Sequence, residues 1–163
     1  MNKKLLRIFN DDQKDRRNPM IRNDASLLTK NDRERRRVVQ GLIRTGKLVS
    51  AKDYYHAAMI VQHGGSILDS VKAVRFSKIS HELGYKKALA FYATCLDRLL
   101  LKRGKKQKFG TQSWKKDASS KWVLSPIDSR TTDKERQQFD IAPLKELEDR
   151  IKKRNRESGN KKI

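Results

Sequence analysis

Helix start and stop signals between residues 50 and 104 constrain the fold most strongly. At two positions a serine stands three residues before an aspartate, which is the pattern of a capping box at a helix N-terminus: Ser50 with Asp53, and Ser66 with Asp69. Each apolar stretch then ends at glycine, the residue favoured just past a helix C-terminus: Gly64, Gly84 and Gly104. We expect three helices here, through "YYHAAMIVQH", "VKAVRFSKISHEL" and "KKALAFYATCLDRLLLKR".

The flanking segments carry weaker signals. Asp32 is expected to cap a helix through "RERRRVVQGLIRT", and residues 18–31 are expected to form a loop or arm because Asn, Asp and Ser are frequent there without a period. After Gly104, "KFGTQSW" and "KWVLSPI" flank the polar "KKDASS", which predicts a β-hairpin near 107–125. Pro143 then marks the start of a last helix, "PLKELEDRIKKR".

These patterns predict a mostly α fold, with a core of about four to six helices and one small β-hairpin. Small residues around the "HELGYKKA" turn allow close helix packing and resemble helix-hairpin repeats of the tetratricopeptide or Sel1 kind. About one and a half such units are present, fewer than the three or more that a solenoid needs. The predicted organisation is a basic N-terminal helix or arm at 1–30, a helical domain at 31–156 and a frayed tail at 157–163.

Basic charge flanks a nearly neutral middle. The chain of 163 residues carries a net charge of +21; residues 1–50 hold 14 Lys/Arg against 6 Asp/Glu, residues 51–100 hold 7 against 4, and residues 101–163 hold 19 against 9. Such a balance favours polyanions, so nonspecific binding of nucleic acid is expected, although no known recognition motif is present. The single Cys95 and the lack of a membrane-spanning apolar stretch favour a cytoplasmic protein.

Five polar stretches stand out along the chain: "DDQKDRR" at 11–17, "QHGG" at 62–65, "CLDRLL" at 95–100, "QKFGTQS" at 107–113 and "DKERQQFDIAPLKE" at 133–146. In this order they resemble a bacterial domain-of-unknown-function family with Asp-Gln-x-x-Arg, His-Gly, Asp-Arg and Gln-x-Tyr-Gly-Thr-Gln motifs. The matching residues are Asp12, Gln13, Arg16, His63, Asp97, Arg98, Gly104, Gln107, Phe109, Gly110, Thr111, Gln112, Arg136, Ile141, Pro143 and Leu144. Phe109 stands where the family has Tyr, and the resemblance implies no particular activity.

Three functions are consistent with these residues. The first is a small basic binding protein whose pocket holds a polar or anionic ligand or peptide; its candidate ligand-binding residues are Asp12, Gln13, Arg16, His63, Asp97, Arg98, Gln107, Gly110, Thr111, Gln112 and Arg136. The second is a hydrolase-like enzyme with His63 as general base, oriented by Asp97. The third is a nucleic-acid-associated basic protein in which the same residues are structural.

Structural alternatives accompany each candidate. Asp97 shares a helix face with small residues, so its carboxylate is expected to be buried and to need a partner, either Arg16, Arg136 or His63. His63 either caps a helix C-terminus or belongs to the site.

Residues 107–112 are expected to form a strand with a bulge at Gly110, and they serve either as a pocket wall or as a clasp that joins the hairpin to the helices. No cofactor and no metal site are expected, because His56 and His63 lie roughly 10 Å apart along a helix and no HExxH or CxxC pattern occurs.

Overall fold

The fold is mostly helical with one small sheet, which confirms the predicted class. A computed structural model describes residues 1–117 and 119–159. Its elements are α1 (Lys3–Arg17), α2 (Pro19–Asn23), α3 (Ala25–Arg44), α4 (Ala51–Val61), α5 (Ile67–Glu82), α6 (Ala88–Lys102), β1 (Ser113–Trp114), β2 (Val123–Leu124), α7 (Asp133–Gln138) and α8 (Leu144–Gly159).

The chain divides into two compact units, Met1–Tyr92 and Ala93–Ile163. We call them unit 1 and unit 2. The boundary between them falls within α6. The division at residues 30 and 156 stays a prediction. Helix α8 runs to Gly159, and the remainder of the predicted frayed tail, residues 160–163, lies outside the described residues.

Unit 1 is a helical bundle in which α4 packs on α5 and also contacts α1 and α3. Its core includes the fully buried Leu5, Val39, Ala57, Ala58 and Ile60. The small alanines on α4 let α5 approach closely, and the hydroxyl of Ser80 near the end of α5 donates a 2.7 Å hydrogen bond to the carbonyl of Ala51 at the start of α4.

The two predicted helix starts are confirmed. Ser50 accepts a hydrogen bond from the N–H of Asp53 while Asp53 accepts one from the N–H of Ser50, so a complete capping box begins α4. Ser66 likewise accepts from the N–H of Asp69 at the start of α5. Gly64 is required at this turn, because a Cβ atom there would lie 2.1 Å from an Asp69 carboxylate oxygen.

The prediction of a loop at residues 18–31 is wrong. Asn18 and Asp24 accept hydrogen bonds from backbone N–H groups as N-caps of α2 and α3, so these polar residues start helices rather than interrupt them. Helix α3 therefore begins at Ala25. Asp32, predicted as its cap, is a buried residue inside this helix.

Unit 2 contains the predicted β-hairpin, in which Ser113 pairs with Leu124 and Trp114 with Val123 in antiparallel register. The hairpin is held to α8 by Asn155, whose side chain accepts from the N–H of Trp122 at 2.7 Å and donates to its carbonyl at 2.9 Å.

Residues 107–112 were expected to belong to a bulged strand, and that prediction is wrong. Only Gln107 forms a bridge, parallel to Ile127, and Gly110 turns the chain with φ +87°. A regular strand ladder is not formed there, because the backbone groups of this stretch bond to side chains of the same unit, among them Asp97 and Arg136.

Candidate functional site

The candidate residues fall into two groups, each within one unit. Unit 1 holds Asp12, Gln13, Arg16 and His63. Unit 2 holds Asp97, Arg98, Gln107, Gly110, Thr111, Gln112 and Arg136. Their ligand-binding roles stay predictions.

Asp12 is the centre of the unit 1 group, and its side chain is fully buried. Arg16, one helical turn further along α1, donates from Nε and Nη2 to the two carboxylate oxygens at 3.3 and 3.1 Å. Gln13 donates to the carboxylate at 2.9 Å, and Nε2 of His63 lies 3.8 Å from it. The Asp-Gln-x-x-Arg motif therefore encloses its own carboxylate.

Helix α3 completes this group with residues that the sequence reading missed. Asp32 accepts from Arg16 Nη2 at 2.7 Å, Arg35 forms an ion pair with Asp15, and Asn31 donates to Asp15 at 2.9 Å. A signal was present, because acidic, amide and basic residues recur at i, i+3 and i+4 in both helices. It was missed because Asn31 fell in the expected loop and Asp32 was interpreted as a helix cap.

Burial and ion pairing act on these carboxyl groups in opposite directions. Burial raises the pKa of Asp12 above its usual value, although the nearby Arg16 opposes the shift. Burial would also raise the pKa of Asp15, but hydrogen bonds from Arg35 and Asn31 hold it below the usual value. The group thus joins α1 to α3 through ion pairs that are largely removed from solvent.

His63 follows the end of α4, where the sequence placed it. Its backbone N–H donates to the carbonyl of Ile60 at 3.4 Å, and its own carbonyl accepts from Arg36 at 3.4 Å. Its side chain is 16% exposed.

In unit 2, Asp97 is fully buried, as predicted. The prediction that Arg16, Arg136 or His63 pairs with it is wrong. Asp97 accepts instead from backbone N–H groups of Lys108 at 2.7 Å and Phe109 at 2.9 Å, and from both the N–H and the hydroxyl of Thr111 at 2.9 Å. The loop therefore wraps its donors around a carboxylate of its own chain.

Two glutamines secure the same loop in different ways. Gln107 is fully buried; its amide donates to the carbonyls of Gln112 and Ser125 at 2.9 and 2.7 Å and accepts from the N–H of Gln112 at 2.8 Å. The side chain of Gln112 is partly exposed, accepts from Arg98 Nε at 3.0 Å and donates to the Thr111 hydroxyl at 2.9 Å. Gln107 thus acts as a buried clasp that joins residues 112 and 125, whereas Gln112 lies at the solvent-exposed edge of the loop.

Gly110 and Arg136 hold the loop from its other side. A Cβ atom at Gly110 would lie 3.1 Å from Leu147 and 3.2 Å from Ile127, so side chains of unit 2 occupy the space that was expected to admit a ligand. Arg136 is 2% exposed and donates to the carbonyls of Phe109 and Thr131 at 3.1 Å.

An open cleft of about 980 Å³ adjoins this loop within unit 2. Its lining combines cations, two carboxylates, hydroxyl groups and two leucines: Leu96, Leu100, Lys105, Lys106, Lys108, Asp128, Ser129, Arg130, Thr131 and Glu135. The run of cations at 102–108 is visible in the sequence, but the sequence does not show that the apolar surface of α6 and the segment 128–135 lie beside it.

The two carboxylates of the cleft are paired with cations of the same cleft. Arg130 donates to both oxygens of Asp128 at 3.0 and 2.7 Å, which holds the pKa of Asp128 well below its usual range. Lys108 Nζ lies 3.2 Å from Glu135, whose pKa is lowered by the backbone N–H of Thr132 and then by Lys108. The cleft retains an excess of positive charge from Lys105 and Lys106.

Within residues 1–117 and 119–159, no group of three or more His, Cys, Asp or Glu side chains is arranged to hold a metal ion. In the same described part of the chain, none of the helices combines the length and apolarity needed to cross a bilayer.

Comparison with protein-family models, with curated proteins and with solved structures finds no match. The family resemblance based on the five polar stretches therefore stays a prediction.

Proposed function

We propose that this protein binds nucleic acid through exposed basic side chains, with the sugar–phosphate backbone as the main target. The observation that supports this best is the different placement of the two charge types. Carboxylates on both units accept hydrogen bonds or form ion pairs within the chain: Asp12, Asp15, Asp32, Asp53, Asp97, Asp128, Asp133 and Glu135.

Many cations, in contrast, face solvent. The sequence has three dense basic runs, 33–37, 102–108 and 151–156. The two runs in unit 2 expose these side chains: Arg103, Lys105, Lys106, Lys153 and Arg156. Lys152 is exposed as well, but it is paired with Asp149. The third run, 33–37, is divided, because Arg35 is buried against carboxylates while Arg33 and Arg37 are exposed. The net charge of +21 is thus carried largely by groups that a polyanion can reach.

Nucleic acid suits such a surface because its phosphates are closely spaced and hold condensed counterions. Lys and Arg that replace these counterions release them to bulk solvent, and this release supplies most of the nonspecific affinity. Protein groups that already neutralise one another contribute little, so the exposed and unpaired cations decide the affinity. The cytoplasm, predicted from composition and from Cys95, is the compartment we propose for this function.

Fluorescence anisotropy provides the test. The full chain is titrated into labelled RNA and DNA of about 20 nucleotides, which exceeds the site size of typical single-strand binding folds, in about 50 mM salt. Poly-L-glutamate of similar length is the matched polyanion without phosphates. We expect saturable binding of the oligonucleotides and weaker binding of poly-L-glutamate, which has a similar charge spacing but offers no bases for the protein to contact.

An absence of oligonucleotide binding at this low salt concentration would contradict the proposal. Equally tight binding of poly-L-glutamate would also overturn it and would indicate an acidic polypeptide as the partner. The polar pocket and the hydrolase with His63 and Asp97 draw on residues of both units and stay predictions.

A further inference from the structure

We propose that the unit 2 cleft binds a single strand of nucleic acid, with phosphates at Lys105 and Lys106 and an unpaired base against Leu96 and Leu100. This inference rests on the proposed function and specifies its site and its preferred ligand. The cleft volume of about 980 Å³ lies at the upper end of the range for small-molecule sites, which leaves room for more than one nucleotide.

The cations of the cleft differ in how strongly their own chain already engages them. Arg130 is held by both oxygens of Asp128, and Lys108 is paired with Glu135. Lys105 and Lys106 are exposed, and within the described residues neither ammonium group forms a hydrogen bond or a close ion pair. A phosphate at Lys105 or Lys106 therefore breaks no direct ion pair, although the charge of Lys106 also helps to lower the pKa of Asp128. At Lys108 and Arg130 a phosphate competes with a paired carboxylate.

The apolar side of the cleft favours a single strand over a duplex. Leu96 and Leu100 are four residues apart on α6 and lie on one face of the helix, and both are partly exposed in the cleft. In a duplex the base faces are stacked and paired in the interior, so only phosphates and sugars would meet these leucines. An unpaired base can bury an apolar face against them, which adds a contribution that is not specific for sequence.

The backbone that carries the two lysines is held at both ends. Gly104, with φ +70°, ends α6, and the N–H of Lys105 donates to the carbonyl of Leu100 at 2.9 Å. Two residues later, Gln107 is fixed by its bridge to Ile127 and by its buried amide. Because the segment is already positioned, binding a strand orders mainly side chains, which lowers the entropic cost of association.

A pair of matched double variants tests the proposal. K105E/K106E reverses the two cleft charges, and K86E/K87E reverses two consecutive exposed lysines of unit 1, so both variants change the net charge equally. K105Q/K106Q removes the cleft charges without reversing them. Each protein is titrated by fluorescence anisotropy with single-stranded RNA and with a duplex of the same length, in about 50 mM salt.

We expect K105E/K106E to weaken the affinity for the single strand by about tenfold or more. The affinity of K105Q/K106Q should lie between that of K105E/K106E and that of the wild type. K86E/K87E should lose no more than about threefold in affinity. The wild type should also prefer the single strand, whereas a Leu100→Ser variant should reduce that preference while keeping the duplex affinity.

Equal losses in K105E/K106E and K86E/K87E would overturn the cleft as the site but would leave nucleic-acid binding itself intact. A wild-type preference for the duplex would overturn the single-strand assignment. Failure of the wild type to bind any oligonucleotide would remove the proposed function and this inference together.

Discussion

Thr111 reaches the carboxylate of Asp97 twice: its backbone N–H and its hydroxyl both donate to the same oxygen, Oδ2, at 2.9 Å. With Lys108 and Phe109 donating to Oδ1, four hydrogen bonds meet one buried carboxylate. The segment that joins α6 to the hairpin therefore folds around Asp97.

Asp97→Asn is expected to destabilise unit 2 strongly. The amide group would direct donors at backbone N–H groups that have no other acceptor, and each unsatisfied buried group costs about 1–3 kcal/mol. Thr111→Val is the graded control, because it removes the hydroxyl and keeps the N–H, and should cost about 1 kcal/mol. Thermal melts of both variants measure the difference, and a mild effect of Asp97→Asn would show that the loop does not depend on the carboxylate.

The two glutamines of the loop should respond differently to truncation. Gln107→Ala removes a fully buried amide with three hydrogen bonds. It should cost several kcal/mol in stability, because partners are left unsatisfied and a cavity is formed. Gln112→Ala should cost about 1 kcal/mol or less, because Gln112 is partly exposed and water can replace its amide. Denaturant unfolding compares the two. If the larger loss occurred at Gln112, the assignment of clasp and edge would be reversed.

Arg35 and Arg37 form a matched pair on α3. Arg35→Ala would leave the buried Asp12 and Asp32 and the partly buried Asp15 without one of their cations, and breaking a buried ion pair in this way costs about 3–5 kcal/mol. Arg37 is exposed, so Arg37→Ala should change the free energy of unfolding by no more than about 0.5 kcal/mol. Similar melting temperatures for the two variants would show that the unit 1 ion-pair group contributes little.

His56 should make unfolding depend on pH. Its ring stacks on Phe9 at 4.1 Å, and burial lowers its pKa below the usual value of 6.5. Between its folded-state pKa and 6.5 the unfolded chain binds more protons, so stability is retained above pH 6.5 and is lost as pH falls through this window. His56→Phe should remove this component, while the exposed His81→Gln should retain it; unfolding midpoints at several pH values provide the comparison. An identical pH profile for His56→Phe and the wild type would exclude His56 as the cause.

Short-range signals account for what could be predicted. Helices α4 and α5 start at capping boxes or caps formed within three residues, and glycine ends α6, so local chemistry identifies them. Asn18 and Asp24 were misread because the same residue types serve in loops and as helix caps, and only the packing of α3 on α1 distinguishes the two roles.

The partner of Asp97 could not be predicted for a different reason. A buried carboxylate indicates that donors must be near, but the donors here are backbone N–H groups, which every residue except proline carries. The cleft was missed likewise, since Leu96, Lys105 and Asp128 come together only through the path of the loop.

The salt dependence of RNA binding tests the central proposal most directly. Association constants for a single-stranded RNA, measured by anisotropy over a series of salt concentrations, give a line of log K against log salt. If four or more phosphates contact exposed lysines and arginines, its slope should be about −3 or steeper, because each contact contributes about −0.7 for a single strand. A slope near zero, or no measurable association at the lowest salt concentration, would contradict the account.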